Sequence, residues 1–462
     1  MQFLIGLMIG ATAAATASAS PVMTSYTLMG EGGVVVARAV TETSTCPTFV
    51  VDGSLRPMVV RMTPATLALR ATAMGQAASK PSEFAVLTCE AIVPAGARRA
   101  AVDGHRLALL RAPVTRIVVI GDTGCRIKGS VGQACNDAAQ FPFARIATHA
   151  AAWHPQLVVH VGDYLYRETA CPTGNSGCAG SPWGYGWDAW AADFFVPGAP
   201  LLAAAPWVVV RGNHESCLRA GQGWWRLLDP RPGIAGRDCN DASDDATGDA
   251  GSAYAVPLGR NAQVIVTDLA AVTDAVSPPE SERFADTARV WRDIERLSRR
   301  AAFNFVATHK PILGFTSGKG MGAPVRTATD GIASVFQTLA PGVLPPAVDV
   351  VLSGHEHVWE QVSYSGRLPS QFITGFSGTQ EDTVPLPAQL PADVQTAGVA
   401  PDRFSSWIDG FGYMTLERRS DQRWIAKVWD VRGEVVNRCR IDGRRSSCVK
   451  SQVASTPVDT AH

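Results

Sequence analysis

Five apolar runs in this chain end in the same way, and that shared ending constrains the fold more than any other feature. They are RIVVIGDTG (Arg116 to Gly124), LVVHVGDYLY (Leu157 to Tyr166), WVVVRGNHE (Trp207 to Glu215), FVATH (Phe305 to His309) and VDVVLSGHEH (Val348 to His357). Each reads as a buried strand running into a turn, glycine-bearing in four of the five, that carries a side chain able to bind a metal ion. Strands that deliver Asp, Asn, Tyr or His at their carboxyl ends are expected to converge on one edge of an α/β sheet, where ligands of such sheets bind. The active site is expected at that edge.

The rest of the chain frames this segment. At 462 residues it suits one large domain with attachments, or two or three domains. An apolar content of 46% with 18% charged residues is that of a globular protein with ample core. The formal net charge is zero, so no global field gathers nucleic acid or an anionic membrane, and no nucleic-acid surface is indicated. Residues 1–19 pair an apolar stretch, Phe3 to Ile9, with an A-x-A site at Ala17-Ser18-Ala19, the pattern of a secretory signal peptide. That stretch is too short to span a bilayer, and no later apolar run is long enough. The expectation is therefore a periplasmic or secreted protein with no membrane span once the signal is removed. Ten cysteines fit an oxidising compartment. Their spacing suggests the local pairs Cys46 with Cys89, Cys125 with Cys135, Cys171 with Cys178, Cys217 with Cys239 and Cys439 with Cys448, although spacing leaves connectivity open. Without a C-x-x-C motif, disulfides are favoured over a thiolate metal site.

Residues 20–113 alternate short apolar runs with turn residues and read as a small β-rich domain, a sandwich scaffold or lid. From residue 114 to 448 strand and helix patterns alternate, giving an α/β domain of two facing sheets with helices outside. Within it, Phe141 to His154 and Glu280 to Arg300 are expected helices, the latter with Phe284, Val290, Trp291, Ile294 and Leu297 on one face. His149 and His154, borne on a helix away from any strand end, are expected to be surface or packing residues. A loop with Trp183, Tyr185, Trp187 and Trp190 reads as packing, with a helix near Trp187 to Phe195. The acidic loop Cys217 to Ser252 lacks the terminal Glu of a calcium loop. SQFITGFSG, FGYMTLE and WIAKVWD are expected strands of the second sheet, and residues 449–462 a flexible tail.

The ligand candidates are Asp122, Asp163, Tyr166, Asn213, His309, His355 and His357. Carboxylate, phenolate, amide oxygen and imidazole are hard to borderline donors, suited to Fe, Mn or Zn. Seven are too many for one tetrahedral site and suit two ions sharing a bridging carboxylate, with positions open for water and substrate. The two histidines of GHEH face the same way on an extended backbone, whereas a turn would splay them onto different ions. Asn213 offers a neutral oxygen, leaving His214 free for proton transfer or substrate contact.

The blocks GDTG, GDYLY, GNHE, VATH and GHEH resemble the GDxG, GDxxY, GNH[DE], VxxH and GHxH set of the purple acid phosphatases, a branch of the calcineurin-like metallophosphoesterases. The resemblance implies a two-sheet αββα metallophosphoesterase sandwich that hydrolyses small-molecule phosphate esters at two metal ions. It implies iron held by Asp122, Asp163, Tyr166 and His357. Fe, Zn or Mn would be held by Asp163, Asn213, His309 and His355. Asp163 would bridge, and Asn213 and His214 would contact substrate, with His214 the catalytic residue. Eukaryotic members often have a further histidine after the fourth block. Here KPILGFTSGKG follows, with Lys310 and Lys319 its only cations, so any substrate clamp differs. Arg126 and Lys128 are further phosphate-binding candidates. Phosphodiesterase or nucleotidase activity, or a non-catalytic metal- or phosphate-binding role, are the rival readings. Nothing in the sequence fixes the oligomeric state.

Overall fold

The computed structural model describes residues 22–233, 236–318, 324–381 and 384–451. The expected leader (1–19), Lys319 and most of the tail lie outside the described residues. In chain order the strands of the two large sheets are β1 (Val22–Met29), β2 (Val35–Thr41), β3 (Val59–Met62), β4 (Leu87–Val93), β5 (Arg116–Ile120), β6 (Leu157–His160), β7 (Trp207–Val209), β8 (Tyr254–Gly259), β9 (Ala262–Val266), β10 (Phe303–Ala307), β11 (Val350–Ser353), β12 (Trp359–Tyr364), β13 (Ser370–Thr374), β14 (Pro401–Trp407), β15 (Gly412–Arg418), β16 (Arg423–Asp430), β17 (Val435–Asp442) and β18 (Arg445–Lys450). The first sheet runs β18-β17-β16-β15-β5-β6-β7-β1-β2-β4-β3 and the second β8-β9-β10-β11-β13-β12-β14.

Alternation along β5 shows how the layers form. Ile117 and Val119 enter the core between the sheets with Val264, Phe305 and Leu352. Val118 and Ile120 take the opposite face, packing with Phe143 and Ile146 of α1 (Phe143–Ala152) and Leu201 and Leu202 of α2 (Val196–Ala204). On the second sheet Ile265, Val306 and Val351 face α3 (Glu282–Ser298) through Val290, Ile294 and Leu297, and α4 (Asp330–Leu339) through Ile332 and Phe336. Both faces of the central parallel strands are therefore covered, which is why they read as continuous apolar runs. The expected helix at Glu280 to Arg300 starts at Glu282, because the Ser281 hydroxyl caps it by accepting from the Phe284 N–H. Phe284 itself is only half-buried.

A β-rich amino-terminal region precedes the domain and extends its first sheet, and one expectation about the second sheet needs correction. In the amino-terminal region β1 pairs in parallel with β7 at Leu28 and Trp207, and β2, β4 and β3 continue the first sheet from there. The buried Arg38 fastens this extension, donating to Leu227 O (2.7 Å) and Asp229 O (2.9 Å) and pairing with Glu90. The four-stranded sheet of Phe49–Val51, Ser54–Arg56, Ala100–Val102 and His105–Leu107, packed on Ala37 and Ala39 of β2, stands apart, as does the hairpin of Ala65–Leu67 and Ser82–Phe84. The correction concerns FGYMTLE and WIAKVWD, which form β15 and β16 of the first sheet, β15 lying antiparallel to β5; SQFIT joins the second sheet as expected. A period of two identifies a strand but not its neighbour. All five suggested disulfides are formed. No helix among the described residues is long and apolar enough to cross a membrane.

Candidate metal centre

The five ligand-bearing ends do not share one sheet. Strands β5, β6 and β7 bring Asp122, Asp163, Tyr166 and Asn213 from the first sheet, while β10 and β11 bring His309, His355 and His357 from the second. The expected single edge is therefore two facing edges, and the seven side chains meet between them.

They form two overlapping groups. Tyr166 Oη lies 2.8 Å from Asp122 Oδ1, 2.7 Å from Asp163 Oδ2 and 2.9 Å from His357 Nε2. His357 Nδ1 is 2.8 Å from the Gln380 carbonyl, which takes its proton and turns a lone pair on Nε2 toward the phenol. A phenol has one proton to donate, so three acceptors around one Oη are an excess that a multivalent cation would relieve. Burial first, then the charges of Asp122 and Asp163, push the Tyr166 phenol well above its usual range; a bound cation reverses that balance.

In the second group Asn213 Oδ1 lies 2.9 Å from both His309 Nε2 and His355 Nδ1, and His309 Nε2 is 3.2 Å from Asp163 Oδ2. Asp163, His309 and His355 place their ligand atoms within 4.8 Å of one another, the only such group of His, Cys, Asp and Glu among the described residues. His309 Nδ1 faces the Val161 carbonyl at 2.9 Å, leaving Nε2 for the site. Although burial opposes its charge, the Asp163 carboxylate holds His309 up at about 9. Asp163 touches both groups, as a bridging ligand would. The donor set thus fits two ions of the hard to borderline kind.

The backbone bends sharply to achieve this. Asp122, Asp163 and His355 adopt φ of 53°, 60° and 74°, the left-handed region disfavoured for side-chain-bearing residues. Gly212 is required by close approach, because a Cβ there would collide with the Asp163 carboxylate and amide. The turn at His355 also splays His355 and His357 into different groups.

Two buried carboxylates that sequence reasoning did not single out hold these turns. Glu215, last residue of GNHE, accepts N–H bonds from Asp163 (3.0 Å), Tyr164 (2.8 Å), Leu165 (3.3 Å) and Gly212 (3.1 Å). Asp193 accepts from Cys125 N (3.0 Å), Tyr166 N (2.8 Å) and Arg167 N (3.2 Å) and pairs with the Arg167 side chain. Only the position of Glu215 beside a ligand hinted at such a role.

His214 packs on Tyr166, ring centroids 3.8 Å apart and planes tilted by 37°, with Nε2 3.8 Å from Asp163 Oδ2. Its Nδ1 is 2.9 Å from Glu168 Oε1 and 3.2 Å from the Leu165 carbonyl. Burial first, then the neighbouring Arg219 charge, lower His214 to about 4. Arg219 and Glu168 were also missed, since a lone Arg and Glu outside the motifs carry no sequence signal.

Other candidates fall elsewhere. Arg126 and Lys128 are half-buried on a hairpin joined to the Tyr166 segment by Ile127 N donating to Tyr166 O at 3.0 Å. Lys310 is buried and paired with Asp274 at 2.7 Å. His149 lies on α1 and His154 just beyond its end, both outside the cluster. Trp190 and Tyr185 are core residues, as the packing reading expects. In the acidic loop Asp245 pairs with Arg70, and Asp249 accepts from the Cys217 amide at 2.8 Å.

Two facing sheets flanked by helices, with a carboxylate, phenol and imidazole cluster between their edges, define a metal-dependent phosphoester hydrolase scaffold. Residues 115–359, more than half of the chain, match the calcineurin-like phosphoesterase family, and the chain belongs to it. It is accordingly a metallophosphoesterase, a hydrolase acting on phosphoric esters. Among solved structures, purple acid phosphatase PPD1 from yellow lupin (Lupinus luteus) seeds is similar with a TM-score of 0.53 and 12% identity, over 92% of this chain and 74% of that one. At that identity the likeness is one of fold. A structure of PhoD gives a TM-score of 0.47 and 13% identity, over 97% of this chain and 95% of the other. No curated protein matches the chain by sequence.

Proposed function

We propose that the protein is an exported, acid phosphatase-like enzyme hydrolysing phosphate monoesters at a dinuclear metal centre. The observation that carries this reading is the excess of acceptors around Tyr166 Oη, whose single proton cannot serve Asp122, Asp163 and His357 together. Asp122, Asp163, Tyr166 and His357 would hold iron. Asp163, Asn213, His309 and His355 would hold the second ion, Fe, Zn or Mn. When bound, such ions supply the positive charge that polarises a phosphoryl group and makes water a competent nucleophile at moderate pH.

The protein's own groups do the rest. Glu215 and Asp193 fix the backbone of the ligand turns, so the donors are preorganised. His214 has Glu168 and the Leu165 carbonyl against Nδ1, and its Nε2 lies on the Asp163 side, where Arg219 Nη2 also reaches it. His214 would contact the phosphoryl group or its leaving oxygen from that side. Asn213 would contact a phosphoryl oxygen as well as an ion, and Arg126 would assist from the hairpin. Export is supported by the five disulfides, which persist in oxidising compartments; the signal sequence behind it lies outside the described residues. The substrate would then be a periplasmic or extracellular small molecule.

The test is elemental analysis with a visible spectrum of freshly purified protein, repeated on Tyr166→Phe. Two metals per chain, iron among them, and a visible band that Tyr166→Phe abolishes are expected; a band unchanged in the variant removes the iron-tyrosinate assignment. Comparing nitrophenyl phosphate with bis-nitrophenyl phosphate separates monoesterase from diesterase, and faster turnover of the diester would reverse the substrate class.

A further inference from the structure

Of the cations near the centre, most are occupied. Lys310 is tied to Asp274, Arg167 to Asp193, and Arg211 to Asp268 and the Gly248 carbonyl. Arg219 is arranged differently. Its side chain is only 9% exposed, and one edge of the guanidinium grips Glu168: Nε donates to Oε2 at 2.9 Å and Nη2 bonds Oε1. Glu168 is held in turn by Tyr185 Oη at 3.1 Å. Nη2 also lies 2.7 Å from His214 Nε2, the nitrogen that looks toward Asp163, and 2.9 Å from Nδ1, so the guanidinium sits against the imidazole. The remaining nitrogen, Nη1, bonds no described residue.

The local chain explains this placement. Arg219 N donates to Ser216 O and Ala220 N to His214 O, both at 2.9 Å, so the backbone after GNHE curls back and brings residue 219 over residue 214. Cys217, inside that curl, is bonded to Cys239 and fixes it to the acidic loop. A planar guanidinium can hold a carboxylate on one edge and offer its other nitrogen to an oxyanion, which an ammonium cannot do with the same fixed geometry. The result is a permanent charge one imidazole away from the candidate bridging carboxylate.

We propose that Arg219 binds the phosphoryl group of the substrate, and that Glu168 is the positioning residue that aims it. This rests on the phosphoesterase reading of the site. It adds a cationic clamp where Lys310, among the described residues after VATH, is paired with Asp274. The ligand is a tetrahedral oxyanion, a phosphate monoester or inorganic phosphate.

The experiment uses the full metal-loaded protein and the variants Arg219→Lys, Arg219→Ala, Glu168→Gln, and Arg219→Met combined with Glu168→Gln. Metal content, the dissociation constant of inorganic phosphate by calorimetry, and KM and kcat for nitrophenyl phosphate are measured. Losing one charge-assisted contact should weaken phosphate binding and raise KM about ten- to a hundredfold in Arg219→Ala and the double variant, with metal content unchanged. Arg219→Lys should recover part of that loss, and Glu168→Gln should lose less than Arg219→Ala. Should Arg219→Ala fail to fold because Glu168 is stranded, the double variant, which removes both charges, decides. Phosphate binding within about threefold of wild type in the metal-replete double variant, or a loss confined to kcat, would overturn the proposal. If wild-type protein binds metal and phosphate yet hydrolyses no ester, the functional reading fails while phosphate binding still judges Arg219.

Discussion

Replacing Asp193 with Asn tests whether the site is held from behind rather than by its ligands alone. The carboxylate is fully buried and spreads over two oxygens: Oδ1 serves the Cys125 amide and Arg167 Nε, while Oδ2 serves the Tyr166 and Arg167 amides. Asn keeps one oxygen. Its amide group would confront two of these donors, and Arg167, 5% exposed at its side chain, would lose its counter-charge. Removing one partner of a buried ion pair costs about 3–5 kcal/mol, against a total folding free energy of about 5–15 kcal/mol. Urea denaturation of the disulfide-intact protein should therefore show a large drop in midpoint. Combining Arg167→Met with Asp193→Leu should restore much of the stability, because no unpaired charge is left inside. It should not restore metal content, because the Tyr166 amide still lacks its anchor. A single variant with wild-type midpoint and full metal would refute the argument, and so would a double variant that regains its metal.

Three further outcomes follow from the same coordinates. Gly212→Ala should lower metal affinity about ten- to a hundredfold, since the added methyl displaces the Asp163 carboxylate; equal metal content after dialysis would contradict this. Burial pushes Asp349 up to about 6, with the Asn304 amide bond and Arg444 opposing. A raised acid loses stability as pH climbs through that value and is unpenalised below about 4. Asp349→Asn, which keeps an acceptor for the Asn304 amide, should thus be neutral at pH 4 and stabilise by about 2 kcal/mol at pH 8, after allowance for residual exposure; equal effects at both pH values would count against it. Replacing Cys217 and Cys239 by Ser should cost about 3 kcal/mol and weaken phosphate binding by freeing the Arg219 curl, and an unaltered denaturation midpoint would exclude the structural half of that statement.

Much of the catalytic sheet was legible because buried parallel strands announce themselves as apolar runs, and each ligand sits where its run stops. The partition between sheets was not. Phe305 to His309 and Arg116 to Gly124 look alike in sequence, and only hydrogen-bonded neighbours assign β10 to one sheet and β5 to the other. The same ambiguity misassigned β15 and β16 and hid the merger of β1 with β7. Arg219, Glu168 and Asp193 escaped notice for a different reason. Their roles depend on contacts across 5 to 68 positions, such as Asp193 with Cys125, and no local periodicity encodes those.

The left-handed turns at Asp122, Asp163 and His355 set the interests of folding against those of chemistry. A glycine at any of the three would carry the backbone with less strain, so selection for thermal hardiness alone would be expected to erode the ligands first.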